Sequence, residues 1–114
     1  MAAAGYDPSK TEASTKGIAE FVGSEIVEDI TSVPGVGPAA KTALAAAGVT
    51  TTYQLVGKFL QCRGEGSTTR QHCDAFYFWL KDAGITGGWP HAITRAIAQQ
   101  CHAWMDGIYN EAEL

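Results

Sequence analysis

The chain has 114 residues and a mass of 12.1 kDa, enough for one small domain with a single hydrophobic core. Hydrophobic residues make up 46% of it, which argues against a chain that is disordered throughout. Eight Lys and Arg residues against twelve Asp and Glu residues give a net charge of −4, a total that argues against a basic nucleic-acid binder. No apolar run approaches the roughly 18 residues of a membrane span, and no secretion signal is recognisable, so we expect neither membrane insertion nor secretion.

The charge is distributed unevenly. Residues 1–29 carry two lysines against six acidic residues, residues 30–104 carry six basic against three acidic residues, and residues 105–114 carry three acidic residues. The body of the chain is therefore mildly basic and both ends are acidic. The simplest interpretation of the ends is that they are solubilising tails.

The predicted elements begin after residues 1–13, an N-terminal extension whose small and polar composition is typical of disorder. We place a helical domain over residues 14–110 and an acidic end at 111–114. Ser14 and Thr15 are suitable caps for a first short helix, and a second short helical piece is predicted over 26–30.

Three further signals mark the middle of the chain. Pro38 suits the first turn of an Ala-rich helix that Gly48 ends, and the threonines at 50–52 cap the next helix. Residues 61–68 are a predicted loop. The buried face of the helix before that loop is expected to comprise Tyr53, Val56, Phe59 and Leu60.

Two longer helices complete the prediction. One starts near Thr69 and is closed by Gly84, and the last starts at Pro90. Their apolar stripes are Cys73, Phe76, Tyr77 and Leu80, and then Ile93, Ile97, Cys101, Trp104, Met105 and Ile108. Because strand-period alternation persists nowhere, the sequence predicts an all-α fold of five main helices.

The run Phe76-Tyr77-Phe78-Trp79 is too dense for one buried face of a helix. Phe78 and Trp79 cannot point the same way as Phe76, so the helix either is buried all round or contributes to a homodimer interface. The three cysteines, Cys62, Cys73 and Cys101, are an odd number without a C-x-x-C spacing, so we expect no disulfide framework, no metal and no cofactor.

The segment Val33-Pro34-Gly35-Val36-Gly37-Pro38, followed by Ala39, Ala40 and Lys41, has the pattern of a helix-hairpin-helix motif. Gly35 and Gly37 permit a tight turn without side chains, and Val36 would anchor it in the core. The turn opens onto a helix N-terminus, where backbone N–H groups and the helix dipole favour an anion such as a DNA phosphate. Lys41 adds a charge-assisted contact one turn later.

This series resembles the barrier-to-autointegration factor family, over roughly residues 14–109. The match continues through Gly57-Lys58-Phe59-Leu60 and Trp79-Leu80-Lys81-Asp82 to Trp104 and Asp106. The resemblance implies a small all-helical homodimer that bridges two DNA duplexes without sequence preference, compacts DNA and binds LEM-domain proteins. It implies a nuclear and cytoplasmic location, or a virion or viral factory for a viral member.

By position, the resemblance places DNA contacts at the hairpin, with Lys16 as a second basic contact near the start of the first helix. The resulting DNA-binding set is Gly35, Val36, Gly37, Pro38, Ala39, Ala40, Lys41 and Lys16. The expected dimer interface is Tyr53, Gly57, Phe59, Phe78 and Trp79.

Two other functions compete with this one. Some base-excision glycosylases carry a similar hairpin, but they need a second domain and often a four-cysteine cluster, so we expect no enzyme activity. A protein-interaction module that uses the aromatic helix, with a purely structural Gly-Val-Gly turn, is the stronger alternative.

Overall fold

The computed structural model describes residues 5–11 and 13–114. Over these residues the chain forms five α-helices, and no strand is present apart from one isolated bridge between Asp29 and Thr51. The helices are α1 (Thr15–Val22), α2 (Pro38–Ala46), α3 (Thr52–Gln61), α4 (Thr69–Asp82) and α5 (Trp89–Trp104). Short 3-10 helices lie at Pro8–Lys10, Ile30–Ser32 and Glu111–Glu113. The all-α, five-helix prediction is confirmed, and no helix of the described residues could cross a membrane.

Most helix starts follow the local signals of the sequence. The Ser14 hydroxyl accepts a hydrogen bond from the N–H of Gly17, 2.9 Å away, and so caps α1. Thr51 caps α3, and Thr68 caps α4, each in a reciprocal capping box. The helical piece predicted over 26–30 is wrong, because only the 3-10 helix that begins at Ile30 forms there.

Helix α5 lies at the centre of the domain and packs against α1, α3 and α4. Its residues Ala92, Ile93, Ala96 and Ile97 have no exposed surface. The predicted apolar stripe nevertheless ends early. Trp104, where the helix ends, is 53% exposed, so neither it nor the neighbouring Met105 belongs to the core.

The aromatic run of α4 divides between the core and the surface. Phe76 and Tyr77 are buried, whereas Phe78 and Trp79 are half-buried. The Lys58 ammonium lies 5.2 Å from the centre of a Trp79 ring, a cation–π distance. Helix α4 is therefore not buried all round, and one aromatic side of it reaches the surface.

Helix α3 departs from its predicted buried face at one position. Tyr53 is 59% exposed, while its neighbour Thr52 is buried. The Thr52 hydroxyl donates to the carbonyl oxygens of Glu28, at 3.3 Å, and Asp29, at 3.1 Å. These bonds satisfy a polar group in the interior and turn Tyr53 outward.

Residues 5–11, called the N-terminal arm from here on, pack against α4 and α5. Tyr6 is 1% exposed, and its hydroxyl lies 2.8 Å from that of Tyr109. Its backbone N–H donates to a carboxylate oxygen of Asp74 at 2.9 Å, and the N–H of Asp7 donates to Nδ1 of His91 at 3.0 Å.

The disorder expected for residues 1–13 is therefore wrong for the N-terminal arm. The composition is polar, but one aromatic side chain reaches the core and the backbone donors find partners on the helices. Residues 1–4 and Glu12 lie outside the described part of the chain.

Candidate nucleic-acid interface

The turn before α2 requires glycine at position 35 for two reasons. Gly35 has a φ of +96°, which L side chains rarely adopt. A Cβ atom there would also lie 2.9 Å from Cγ1 of Ile93 and 3.2 Å from Cβ of Ala92. Val36 is 5% exposed and packs in the core, as predicted. The turn is therefore fixed against α5.

Gly37 is the N-cap of α2 and differs from Gly35 in both respects. Its backbone is extended, with φ −94° and ψ −170°, and a Cβ atom would meet nothing within 4 Å. No side chain caps the helix, and Pro38 has no N–H. The first backbone bond of α2 runs from the N–H of Lys41 to the carbonyl of Gly37, at 2.9 Å.

The backbone N–H groups of Gly37, Ala39 and Ala40 consequently have no hydrogen-bond partner among the described residues. Gly37 and Ala39 are exposed, and Ala40 is partly so. Free N–H groups at the positive end of a helix favour an anion, and phosphate is one such anion.

Lys41 supplies the positive charge closest in sequence to these N–H groups. Its side chain is exposed, and no ion pair to it is found within the described residues. Asp29 attracts it weakly, but that carboxylate is held mainly by Thr31, whose hydroxyl donates to it at 2.7 Å and whose N–H donates at 2.9 Å. These hydrogen bonds lower the pKa of Asp29, which therefore stays ionised.

Lys16, the predicted second DNA contact, has an acidic neighbour. It is exposed on α1, but its ammonium lies 4.0 Å from the carboxylate of Glu20, four residues on. Glu20 and Glu25 also line a groove between α1 and the residues Ser32 and Pro34. This side of the hairpin therefore has acidic neighbours that offset the charge of Lys16.

A groove of about 510 Å³ runs beside the hairpin. One wall is formed by the hairpin and the first residues of α2, and the other by residues 84–86 and Trp89, the first residue of α5. Trp89 is 42% exposed. This wall was not predicted from the sequence, although the Trp-Pro pair after the glycines at 87 and 88 indicates a bulky side chain at a helix start.

The expected dimer-interface residues fall into two groups. Tyr53 and Gly57 are exposed on α3, and the half-buried Phe78 and Trp79 are on α4. Phe59 has no exposed surface, because its ring stacks on His72 with ring centres 4.0 Å apart. The expectation that Phe59 contributes to a dimer interface is wrong: the helical period turns it toward the core.

Two of the cysteines are core residues. Burial raises the pKa of the Cys73 and Cys101 thiols to about 12, so both stay protonated at neutral pH. Cys62 is partly buried, and burial also raises its pKa. In the described part of the chain no group of three metal-ligating side chains comes together.

Residues 12–104 match the family model described as barrier to autointegration factor. The chain belongs to this family. Membership implies sequence-nonspecific DNA binding and places the chain in a family of DNA-binding proteins that are not enzymes. No curated protein and no solved structure gave a match.

Proposed function

We propose that the chain binds double-stranded DNA through the start of α2, in the manner of a helix-hairpin-helix. A phosphate oxygen accepts hydrogen bonds from the free N–H groups of Gly37, Ala39 and Ala40, and Lys41 adds a charge-assisted contact. The observation that supports this proposal best is the open helix start at Gly37, which has no capping side chain and no Cβ atom above it.

These contacts explain why binding would be independent of sequence. Backbone N–H groups and a lysine reach phosphates, which are identical at every base pair. A hairpin that is rigidly held against α5, with Gly35 close to Ile93, positions the donors without using a base edge. Few charges are needed, so a net charge of −4 is compatible with DNA binding when the acidic residues lie mainly toward the two ends of the chain.

We further propose a homodimer that carries two hairpins, bridges two duplexes and compacts DNA, as part of chromatin or genome organisation. A single hairpin holds one duplex, so bridging requires a second copy. The exposed Tyr53 and Gly57 on α3, with the half-buried Phe78 and Trp79 on α4, offer a partly apolar surface for this contact.

Fluorescence anisotropy with two unrelated duplexes of equal length tests the DNA proposal. We expect equal affinities for the two sequences and a steady loss of affinity as salt rises from about 50 to 200 mM, because phosphate contacts release counterions. Binding that does not respond to salt would overturn the phosphate site, and a strong preference for one duplex would overturn nonspecific recognition.

Light scattering with and without DNA tests the dimer. We expect a species of about 24 kDa, twice the 12.1 kDa of the chain, and larger particles when long duplex DNA is added. A monomer at micromolar concentration that binds DNA without forming larger particles would leave the hairpin proposal intact and overturn bridging.

A further inference from the structure

The groove beside the hairpin is larger than a phosphate site requires. The free N–H groups of α2 occupy one wall, and the groove extends from there to Trp89. The backbone of Trp89 lies close to the turn, since its carbonyl oxygen is 3.3 Å from the position that a Cβ atom on Gly35 would take. Trp89 is nevertheless 42% exposed, so part of this large residue is open to solvent beside the groove.

The wall around Trp89 does not suit a second phosphate. Besides the indole, this wall presents the apolar side chain of Ile85 and the hydroxyl of Thr86, and Pro34 lies on the facing wall. No side chain that lines the groove is charged. A ligand that fills the groove therefore has a charged group at the α2 start and an apolar group directly beside it. A nucleotide of DNA has this composition, because each phosphate is bonded to a deoxyribose whose C–H faces are apolar.

We propose that the indole of Trp89 packs against the deoxyribose next to the phosphate held by the N–H groups of α2. This inference rests on the proposed DNA-binding function and extends its interface from the hairpin to α5. The contact supplies a part of the affinity that involves no charge, and a sugar offers the same surface in every base sequence. It therefore suits a protein with few free cations at its DNA site.

The sugar is a better occupant than a base. In an intact duplex the bases are stacked inside, whereas the sugars and phosphates face outward together. Stacking of the indole on the face of a base would require an unpaired or extruded nucleotide, at a cost of a few kcal/mol. Contact with the sugar requires no change in the duplex.

Salt titrations of the variant Trp89→Ala test this inference, with Trp104→Ala as the matched control. Trp104 is 53% exposed at the opposite end of the same helix. We expect Trp89→Ala to bind intact duplex about 3- to 10-fold more weakly at every salt concentration. The slope of log K against log salt should stay unchanged, since no ionic contact is lost. Trp89→Phe should recover most of the affinity, and Trp104→Ala should bind like the parent.

Lys41→Ala provides the contrast, because losing one phosphate contact should reduce the salt slope by about 0.9. If Trp89→Ala binds intact duplex like the parent, the sugar contact is overturned while the hairpin proposal stands. The same conclusion follows if Trp89→Ala loses only affinity for duplexes with an unpaired nucleotide, or if its salt slope changes. Failure of the parent protein to bind any duplex would instead overturn the proposed function. Circular dichroism of each variant confirms that the helices are retained.

Discussion

The start of α2 differs from the starts of α3 and α4 in how the first backbone N–H groups are satisfied. Thr51 and Gln54 at α3, and Thr68 and Gln71 at α4, form reciprocal capping boxes. At α2 the equivalent positions are Gly37 and Ala40, neither of which has a side chain that can form a hydrogen bond. Side chains accept hydrogen bonds from the first backbone N–H groups of α3 and α4, whereas no side chain does so at α2.

Capping side chains stabilise α3 and α4, whereas the uncapped start of α2 leaves N–H groups for binding. A capping side chain stabilises a helix by about 1 kcal/mol, and its absence leaves donors that water or a ligand must satisfy. Helix α5 also starts without a side-chain cap, but Pro90, His91 and Ala92 in its first turn are buried. Among the described helices, α2 combines an uncapped start with exposure, which is the combination that an anion needs.

Gly37→Glu should have the largest effect on binding. It places a carboxylate where the phosphate lies, and we expect DNA affinity to fall roughly 10- to 100-fold. The fold should be kept, because Gly37 has open space and an ordinary φ of −94°. Ala46→Glu, an equal charge change at the exposed far end of α2, is the control and should bind nearly as well as the parent. Equal affinities of Gly37→Glu and the parent would show that the open start is only structural.

Gly35→Ala tests the other glycine of the hairpin. We expect a loss of about 2 kcal/mol in the free energy of unfolding, because φ is +96° and the new Cβ overlaps Ile93. Gly37→Ala is the matched control, with neither strain nor overlap, and should unfold within about 0.5 kcal/mol of the parent. Urea denaturation measures both, and equal losses would contradict the different roles given to the two glycines.

In the N-terminal arm, a backbone N–H group donates to a histidine ring nitrogen instead of to a capping side chain. This hydrogen bond should depend on pH. Nδ1 of His91 can accept from the N–H of Asp7 only while the imidazole is neutral. Burial is the main cause that lowers the pKa of His91; Lys10 and Lys81 lower it further, and Asp7 opposes them. Because the folded pKa is depressed, this stability is complete above the ordinary value of about 6.5 and is lost as the pH falls below it.

We therefore expect the free energy of unfolding of the parent protein to decrease as the pH falls from 7.5 to 5.5. In His91→Gln this decrease should be smaller. His72, a buried histidine whose pKa is also lowered by burial, contributes in the same direction in both proteins. An identical pH dependence in His91→Gln and the parent would contradict the role given to the arm.

Gly37→Ser should give the smallest change in stability and the most informative one. A serine there can accept from the N–H of Ala40, so we expect a gain of a few tenths of a kcal/mol. The same hydroxyl takes up an N–H group that we propose binds phosphate, so DNA affinity should fall a few-fold. Thr51→Ala is the converse: it should cost about 1 kcal/mol and leave DNA binding unchanged. A serine variant that is more stable and binds DNA equally well would break the link between the open donors and binding.

Local signals in the sequence were sufficient for most helix starts and for the tight turn before α2. Ser14, Pro38 and Gly48 act on their own neighbours, so their positions could be predicted without the fold. The same holds for the buried Val36. The DNA-binding set that follows from the hairpin stays a prediction, supported by the open geometry of α2.

Distant contacts could not be predicted in this way. Thr52 is buried and Tyr53 exposed because two carbonyl groups, of Glu28 and Asp29, approach from another segment. Phe59 lies on the buried face that helical periodicity predicts for α3, but this pattern does not show whether an apolar face packs on the chain's own core or on a partner. Tyr6 was missed because composition describes a segment on average and not its single aromatic residue.

The hydrogen bond between Tyr6 and Tyr109 joins residues 103 positions apart in the chain. Contacts of such long sequence separation raise the contact order and carry a large loop-closure entropy, so they form late. Their partners on α4, α5 and the segment after α5 must already be in place before the N-terminal arm can dock. We expect the arm to be the last part of the described chain to fold and the first to open, and its amide hydrogens to exchange with solvent before those of α5.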